Sequence, residues 1–118
     1  MVTFRRISPT FPTRDLPAAL AQYARLGFTT REYEGGGYGF VARDGIEIHI
    51  GTVSDGNVAT SPATAYLYVD DADALADEWR AAGANVNTPE DTEWGQHEGV
   101  LIDLDGNIIR FGSPLTKD

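Results

Sequence analysis

The sequence predicts an α+β fold of two tandem βαβββ modules, and three observations predict it. The first is a pair of hairpins. Val100-Leu101-Ile102 and Ile108-Ile109-Arg110-Phe111 are strand-forming runs on either side of Asp105-Gly106-Asn107, and Ala42 to Gly51 has the same form around Asp44-Gly45. Asp-Gly and Gly-Asn pairs supply the positive φ that a tight hairpin loop demands. The second is a pair of segments, Leu16 to Leu26 and Ala72 to Ala82, with apolar residues at helical spacing, an aspartate in front and a glycine behind. The third is their spacing. Asp15 and Asp71, Tyr23 and Trp79, and Gly27 and Gly83 are each 56 positions apart, while Asp44 and Asp105, Gly45 and Gly106, and Gly51 and Gly112 are each 61 apart. Such agreement reads as an internal duplication, in which each half buries its apolar face only by pairing with the other.

The elements follow in order. Residues 4 to 12 alternate loosely as a strand, but Pro9 and Pro12 cannot donate to a ladder, which assigns this strand to an edge and makes it a candidate exchange arm. After the first helix come strands at Phe28 to Glu34, Tyr38 to Arg43 and Ile46 to Gly51, with a Gly35-Gly36-Gly37 loop. That loop lacks the strand-loop-helix context and the lysine of a phosphate cradle. A polar stretch from Ser54 to Pro62 separates the halves. The second half then repeats the order: Ala65 to Val69, the second helix, Asn85 to Thr88, a longer loop through Trp94, and the final hairpin. Residues 1–118 thus form one domain, with module one at about 1–53 and module two at about 63–118.

With 118 residues, 42% of them hydrophobic, the chain can bury a core. No apolar run approaches the roughly 20 residues that span a bilayer, and the start of the sequence lacks a signal-peptide pattern, so a cytoplasmic protein is expected with no membrane partner. The absence of cysteine rules out disulfides and thiolate chemistry. A formal charge of −9 repels phosphate backbones, which argues against nucleic acid, and favours cationic ligands.

The paired modules, together with Trp94-Gly95, Glu98, Asp103, Asp105-Gly106-Asn107 and Phe111, resemble the glyoxalase and bleomycin-resistance, or vicinal oxygen chelate, superfamily. The resemblance covers essentially the whole chain. It implies that each module curls its sheet into a half-barrel around a cleft whose inner face carries the function.

Enzymes of that superfamily hold a divalent metal with His, Gln or Glu at four places, which fall here on Ser8, Thr64, His49 and Arg110. Only His49 is a competent ligand. A hydroxyl binds such metals poorly, and a guanidinium cannot give up its proton. No metal, no cofactor and no catalytic residue are therefore expected.

Strand alternation places Tyr66 and Tyr68 on the face of Thr64, and Glu47 on that of His49; Ile46, Ile48 and Ile50 belong to the helix side. Tyr33, Tyr38, Phe40 and Trp94 extend the aromatic wall. The bleomycin-binding members look similar: small, acidic, metal-free, with aromatic residues where Tyr66, Tyr68 and Trp94 stand. They bind a planar, cationic antibiotic in grooves at a dimer interface and exchange the first strand at a proline like Pro9.

The expected ligand-binding set is therefore Tyr33, Tyr38, Phe40, His49, Tyr66, Tyr68, Trp94 and Arg110. The expected partners are a planar, cationic small molecule and a second copy of the chain in an arm-exchanged homodimer. The expected role is antibiotic sequestration. The alternatives are a metal-dependent lyase, isomerase or dioxygenase of the same superfamily, or a non-catalytic small-molecule carrier. Trp79 is expected to pack in the core, and Glu98 to hold the loop before it. Glu47 and Arg110 are candidates to pair across the cleft floor. His97 carries no assignment.

Overall fold

The computed structural model describes residues 1–53 and 62–115; most of the polar stretch between the halves lies outside them. Module one comprises β1 (Thr10–Thr13), α1 (Leu16–Arg25), β2 (Thr29–Glu32), β3 (Tyr38–Arg43) and β4 (Ile46–Thr52). Module two comprises β5 (Thr64–Tyr68), α2 (Ala72–Ala81), β6 (Asn85–Asp91), β7 (Gln96–Ile102) and β8 (Ile108–Pro114). Each forms a four-stranded sheet, in the orders β1-β4-β3-β2 and β5-β8-β7-β6. The fold class is the one the sequence predicts, two βαβββ units in tandem.

The helix signals act as expected. Asp15 and Asp71 are N-caps whose carboxylates accept from the backbone N–H of Ala18 and Ala74. Gly27 and Gly83 take positive φ just past each helix. Each helix lays a buried stripe, Leu16, Ala19 and Tyr23 or Leu75, Ala76 and Trp79, on a core shared with Val41, Ile48, Ile50, Leu101, Ile109 and Phe111. Trp79 is 1% exposed, as packing alone requires, and its indole N–H donates to the Leu26 carbonyl across the modules.

The last turn is a fastener between modules as well as a hairpin loop. Asp103 Oδ1 accepts from the backbone N–H of Asp105 and of Asn107, and Oδ2 accepts from the Tyr23 hydroxyl of α1 at 2.8 Å. The Asn107 amide donates to Asp103 and to the Pro12 carbonyl of β1, and its oxygen accepts from Ala63 N–H. Burial pushes the Asp103 carboxyl up while these hydrogen bonds pull it down, and burial beside Asp103 raises the Tyr23 phenol well above its usual range.

Three expectations need correcting. The first strand begins at Thr10, because residues 1–9 meet no ladder beyond the Pro9 carbonyl, which accepts from His49 N–H. The edge assignment holds, since β1 pairs only with β4. Ile46 does not pack under a helix but stands 44% exposed at the hairpin end. The strand placed at Asn85 to Thr88 runs on to Asp91, passing Pro89 through a shift in register on β7.

Candidate functional site: two aromatic faces

Phe11 and Phe111 lie in the core, whereas Tyr38, Phe40, Tyr66 and Tyr68 lie at alternate strand positions outside it. On the first sheet, β3 and β4 place Phe40 opposite His49 and Tyr38 opposite Gly51, while β1 places Thr10 on the other side of His49. The His49 ring lies edge-on to Phe40 at 4.9 Å and to Tyr38 at 5.5 Å, and His49 Nδ1 shares a 3.0 Å hydrogen bond with the Tyr38 hydroxyl. Gly51 lets Tyr38 lie across β4, since a Cβ there would come within 3.3 Å of the ring. The Arg31 guanidinium stacks 4.0 Å over Phe40. Glu47 accepts from Arg6 at 2.7 Å, a hydrogen bond that holds its carboxyl below the usual range.

The second face uses the same backbone plan with the side chains exchanged. Arg110 lies between Tyr66 on β5 and Val100 on β7, and Glu98 stands opposite Gly112, where the first face has Tyr38 opposite Gly51. Here Tyr66 occupies the glycine's space; a Cβ on Gly112 would overlap its hydroxyl. The Tyr66 and Tyr68 rings sit 4.9 Å apart. Glu98 Oε1 accepts from the Tyr66 hydroxyl at 2.9 Å and the Trp94 indole N–H at 3.2 Å, and Oε2 lies 3.7 Å from Arg110 Nη1. Partial burial, then the bond to Glu98, raises the Tyr66 phenol. Tyr68 and Trp94 are 74% and 65% exposed, open to a flat ring.

The structure thus gathers seven of the eight expected residues into two sets: Tyr38, Phe40 and His49 on one sheet, and Tyr66, Tyr68, Trp94 and Arg110 on the other. Tyr33 joins neither; its ring lies against Gly35 in the turn after β2. Glu47 and Arg110 do not pair across a floor, because each has a nearer partner, Arg6 or Glu98. Glu98 does hold the Trp94 loop, yet it also lies at the centre of the second set. Strand alternation would have disclosed this had β7 been started at Gln96 instead of near Val100. Arg31 was missed because its place over Phe40 depends on the β2–β3 register, which the glycine loop obscures.

A groove of about 370 Å³ runs between the halves, with Ser8, Ile46, Glu47, Tyr66 and Tyr68 in its wall. Another of about 440 Å³ lies under the first hairpin, between Asp44, Tyr68, Asp71 and Glu78. They touch the aromatic faces only through Glu47, Tyr66 and Tyr68.

The four positions that hold metal in the enzymes do not fit a metal here. Ser8 accepts from Arg6, and Arg110 brings a positive charge toward Glu98. Among the described residues no group of three or more His, Asp or Glu side chains is arranged to hold an ion.

Paired βαβββ modules with open aromatic faces define the class of fold. The chain belongs to the Glyoxalase/Bleomycin resistance protein/Dioxygenase superfamily, whose model matches residues 6–111. It is similar in structure to a bleomycin resistance determinant encoded on transposon Tn5, with TM-score 0.84, 22% identity, and coverage of 94% of this chain and 98% of that one. The bleomycin-binding protein of Streptomyces verticillus, in complex with copper(II)-bleomycin, gives 0.82 at 26% identity over 96% and 98%. TnmS3, an antibiotic binding protein from Streptomyces sp. CB03234, gives 0.74 at 24% over 97% and 99%. No curated protein sequence matches the chain.

Proposed function

We propose that this protein sequesters a planar, cationic small molecule of the antibiotic class by stacking it on these aromatic faces, without metal, cofactor or chemical conversion. One observation carries the reading. Around Arg110, where an enzyme of the superfamily would hold metal, stands a wall of Tyr66 and Trp94 tied together through Glu98, with the Tyr68 ring 4.9 Å from that of Tyr66. A wall of this kind holds a ring, and the described residues around it include no metal-ligating group to act on the ring as a Lewis acid. The net charge of −9 favours the approach of cations. The likeness to bleomycin-binding and antibiotic-binding proteins supports the same reading.

The working unit is a homodimer that exchanges the N-terminal arm, in the cytoplasm. Val2, Phe4 and Ile7 are 86%, 95% and 93% exposed on a segment that extends from β1, an apolar strip that a second copy would cover. Pairing the first face of one copy with the second face of its partner would close the two open walls into a groove. Among the described residues no helix is long and apolar enough to cross a membrane.

Bleomycin is the first compound to test, by titration with tryptophan fluorescence and calorimetry. Binding is expected to quench Trp94, to weaken with added salt, and to fall about tenfold or more in Tyr68→Ala, each tenfold step being about 1.4 kcal/mol. Unchanged binding of planar cations by both Trp94→Ala and Tyr68→Ala would put the ligand elsewhere. Sedimentation at micromolar concentration should report a dimer, and elemental analysis should find no stoichiometric divalent metal.

A further inference from the structure

We infer that Glu98 is the specificity-determining anchor of the site, and that the ligand is a flat ring carrying an exocyclic N–H donor, an amino or amidino group on the ring, set beside Tyr66 and Trp94. The inference rests on the stacking function just proposed and specifies what the ring must carry. Glu98 is on the exposed side of its sheet, yet its side chain is only 10% exposed, enclosed by Tyr66, Trp94 and Arg110. Its two oxygens are used unequally. Oε1 accepts from both aromatic donors, whereas among the described residues the only partner of Oε2 is the half-exposed Arg110 at 3.7 Å, beyond hydrogen-bonding distance. Arg110 reduces the cost of the buried charge and leaves the lone pairs of Oε2 open to another donor.

A second acceptor lies beside it. Among the described residues Gln96 Oε1 is buried without a hydrogen-bond partner, and it would lie 3.0 Å from a Cβ on Gly112, close to the Tyr66 hydroxyl that donates to Glu98. This part of the second face therefore presents Glu98 Oε2 as an acceptor next to π-faces, and the Tyr66 and Trp94 donors beside it are already committed. In the first module the corresponding place, opposite Gly51, holds Tyr38, whose hydroxyl is taken up with His49. At this position the second face, through Glu98, can select a ring by its N–H groups where the first has a tyrosine.

Two acridines, both cationic through a protonated ring nitrogen that keeps its N–H, separate recognition of exocyclic amino groups from ring stacking. Proflavine and acridine orange are both flat cations, but the two ring amino groups of proflavine are fully methylated in acridine orange. The parent protein is expected to bind proflavine about tenfold more tightly, the order of effect of a hydrogen bond to a charged group. Glu98→Gln keeps the size of the side chain and an oxygen for Tyr66 and Trp94, but replaces the second oxygen with a donor. It should abolish the preference, lowering proflavine affinity by about tenfold more than acridine orange affinity, and thermal melting of the same samples should confirm a folded variant. Equal binding of the two dyes by the parent, or a preference that survives in Glu98→Gln, overturns the inference and leaves stacking intact. If neither dye binds, the stacking function itself falls and the inference with it.

Discussion

The two hairpin turns share one signature and serve opposite ends. Asp44-Gly45 and Asp105-Gly106 occupy the same place in their modules, and each turn places residues at positive φ, Asp44 and Gly45 in one and Gly106 in the other. The flanking residues decide what each turn becomes. Module one has Ala42 and Ile46 where module two has Asp103 and Asn107. The second turn consequently buries Asp103, Asp105 and Asn107 and is bonded to α1 and β1 of the other module, whereas the first leaves Ile46 exposed in the wall of both grooves. Its neighbour Arg43 reaches outward to Glu78 and the Leu26 carbonyl. Duplication kept the loop geometry, and two substitutions made one copy a fastener and the other an open rim.

The largest expected effect comes from breaking the fastener. Asn107→Ala removes side-chain hydrogen bonds to Pro12, Ala63 and Asp103 and leaves two partly buried backbone groups unpaired, at a cost of about 3 kcal/mol. Urea unfolding should show it as a lower midpoint with an unchanged slope. The matching change in the other turn, Asp44→Ala, loses only the tolerance of aspartate for positive φ, here 51°, and should cost about 1 kcal/mol. Equal losses at the two turns would refute the contrast.

The same contrast explains what could be read in the sequence. Caps, helix stops, turn glycines and the 56- and 61-residue offsets are local signals, and they gave the elements and the duplication. Aromatic residues at alternate strand positions likewise gave Tyr66 with Tyr68, and Tyr38 with Phe40. What stayed hidden depends on register between strands far apart in the chain. The exchange of Tyr38 for Glu98 opposite equivalent glycines is visible only once β3 is set against β4 and β7 against β8. The exclusion of Tyr33 has the same origin, because three glycines leave the direction of the β2–β3 turn open. The Asp-Gly-Asn turn was legible as a turn; its bonds to Tyr23 and Pro12 span more than 75 residues and leave no local trace.

A smaller asymmetry sharpens the comparison through pH. The residue before Tyr38 is Gly37, and the residue before Glu98 is His97, whose ring lies between two carboxylates: Nδ1 is 2.7 Å from Asp91 at the end of β6, and Nε2 is 2.9 Å from Asp73 in the first turn of α2. Only an imidazolium can donate to both, so the hydrogen bonds to Asp73 and then Asp91 raise the His97 pKa above its usual value. A folded-state pKa raised above the unfolded one gives stability that is fully present below the unfolded value, about 6.5, and is lost as pH rises through the folded value. Both carboxylates are well exposed, and solvent screening holds the contribution under about 1 kcal/mol. His97→Gln should therefore be less stable than the parent at pH 6, with the gap closing by pH 9, when urea midpoints are compared at constant ionic strength. A gap that stays constant or widens with pH would mean that the ring acts by packing and not by its charge. Trp94 lies in the turn that joins Asp91 to His97, so the same titration followed by Trp94 fluorescence reports whether releasing this clamp loosens the second aromatic face. Module one, with glycine at that point, has no equivalent control.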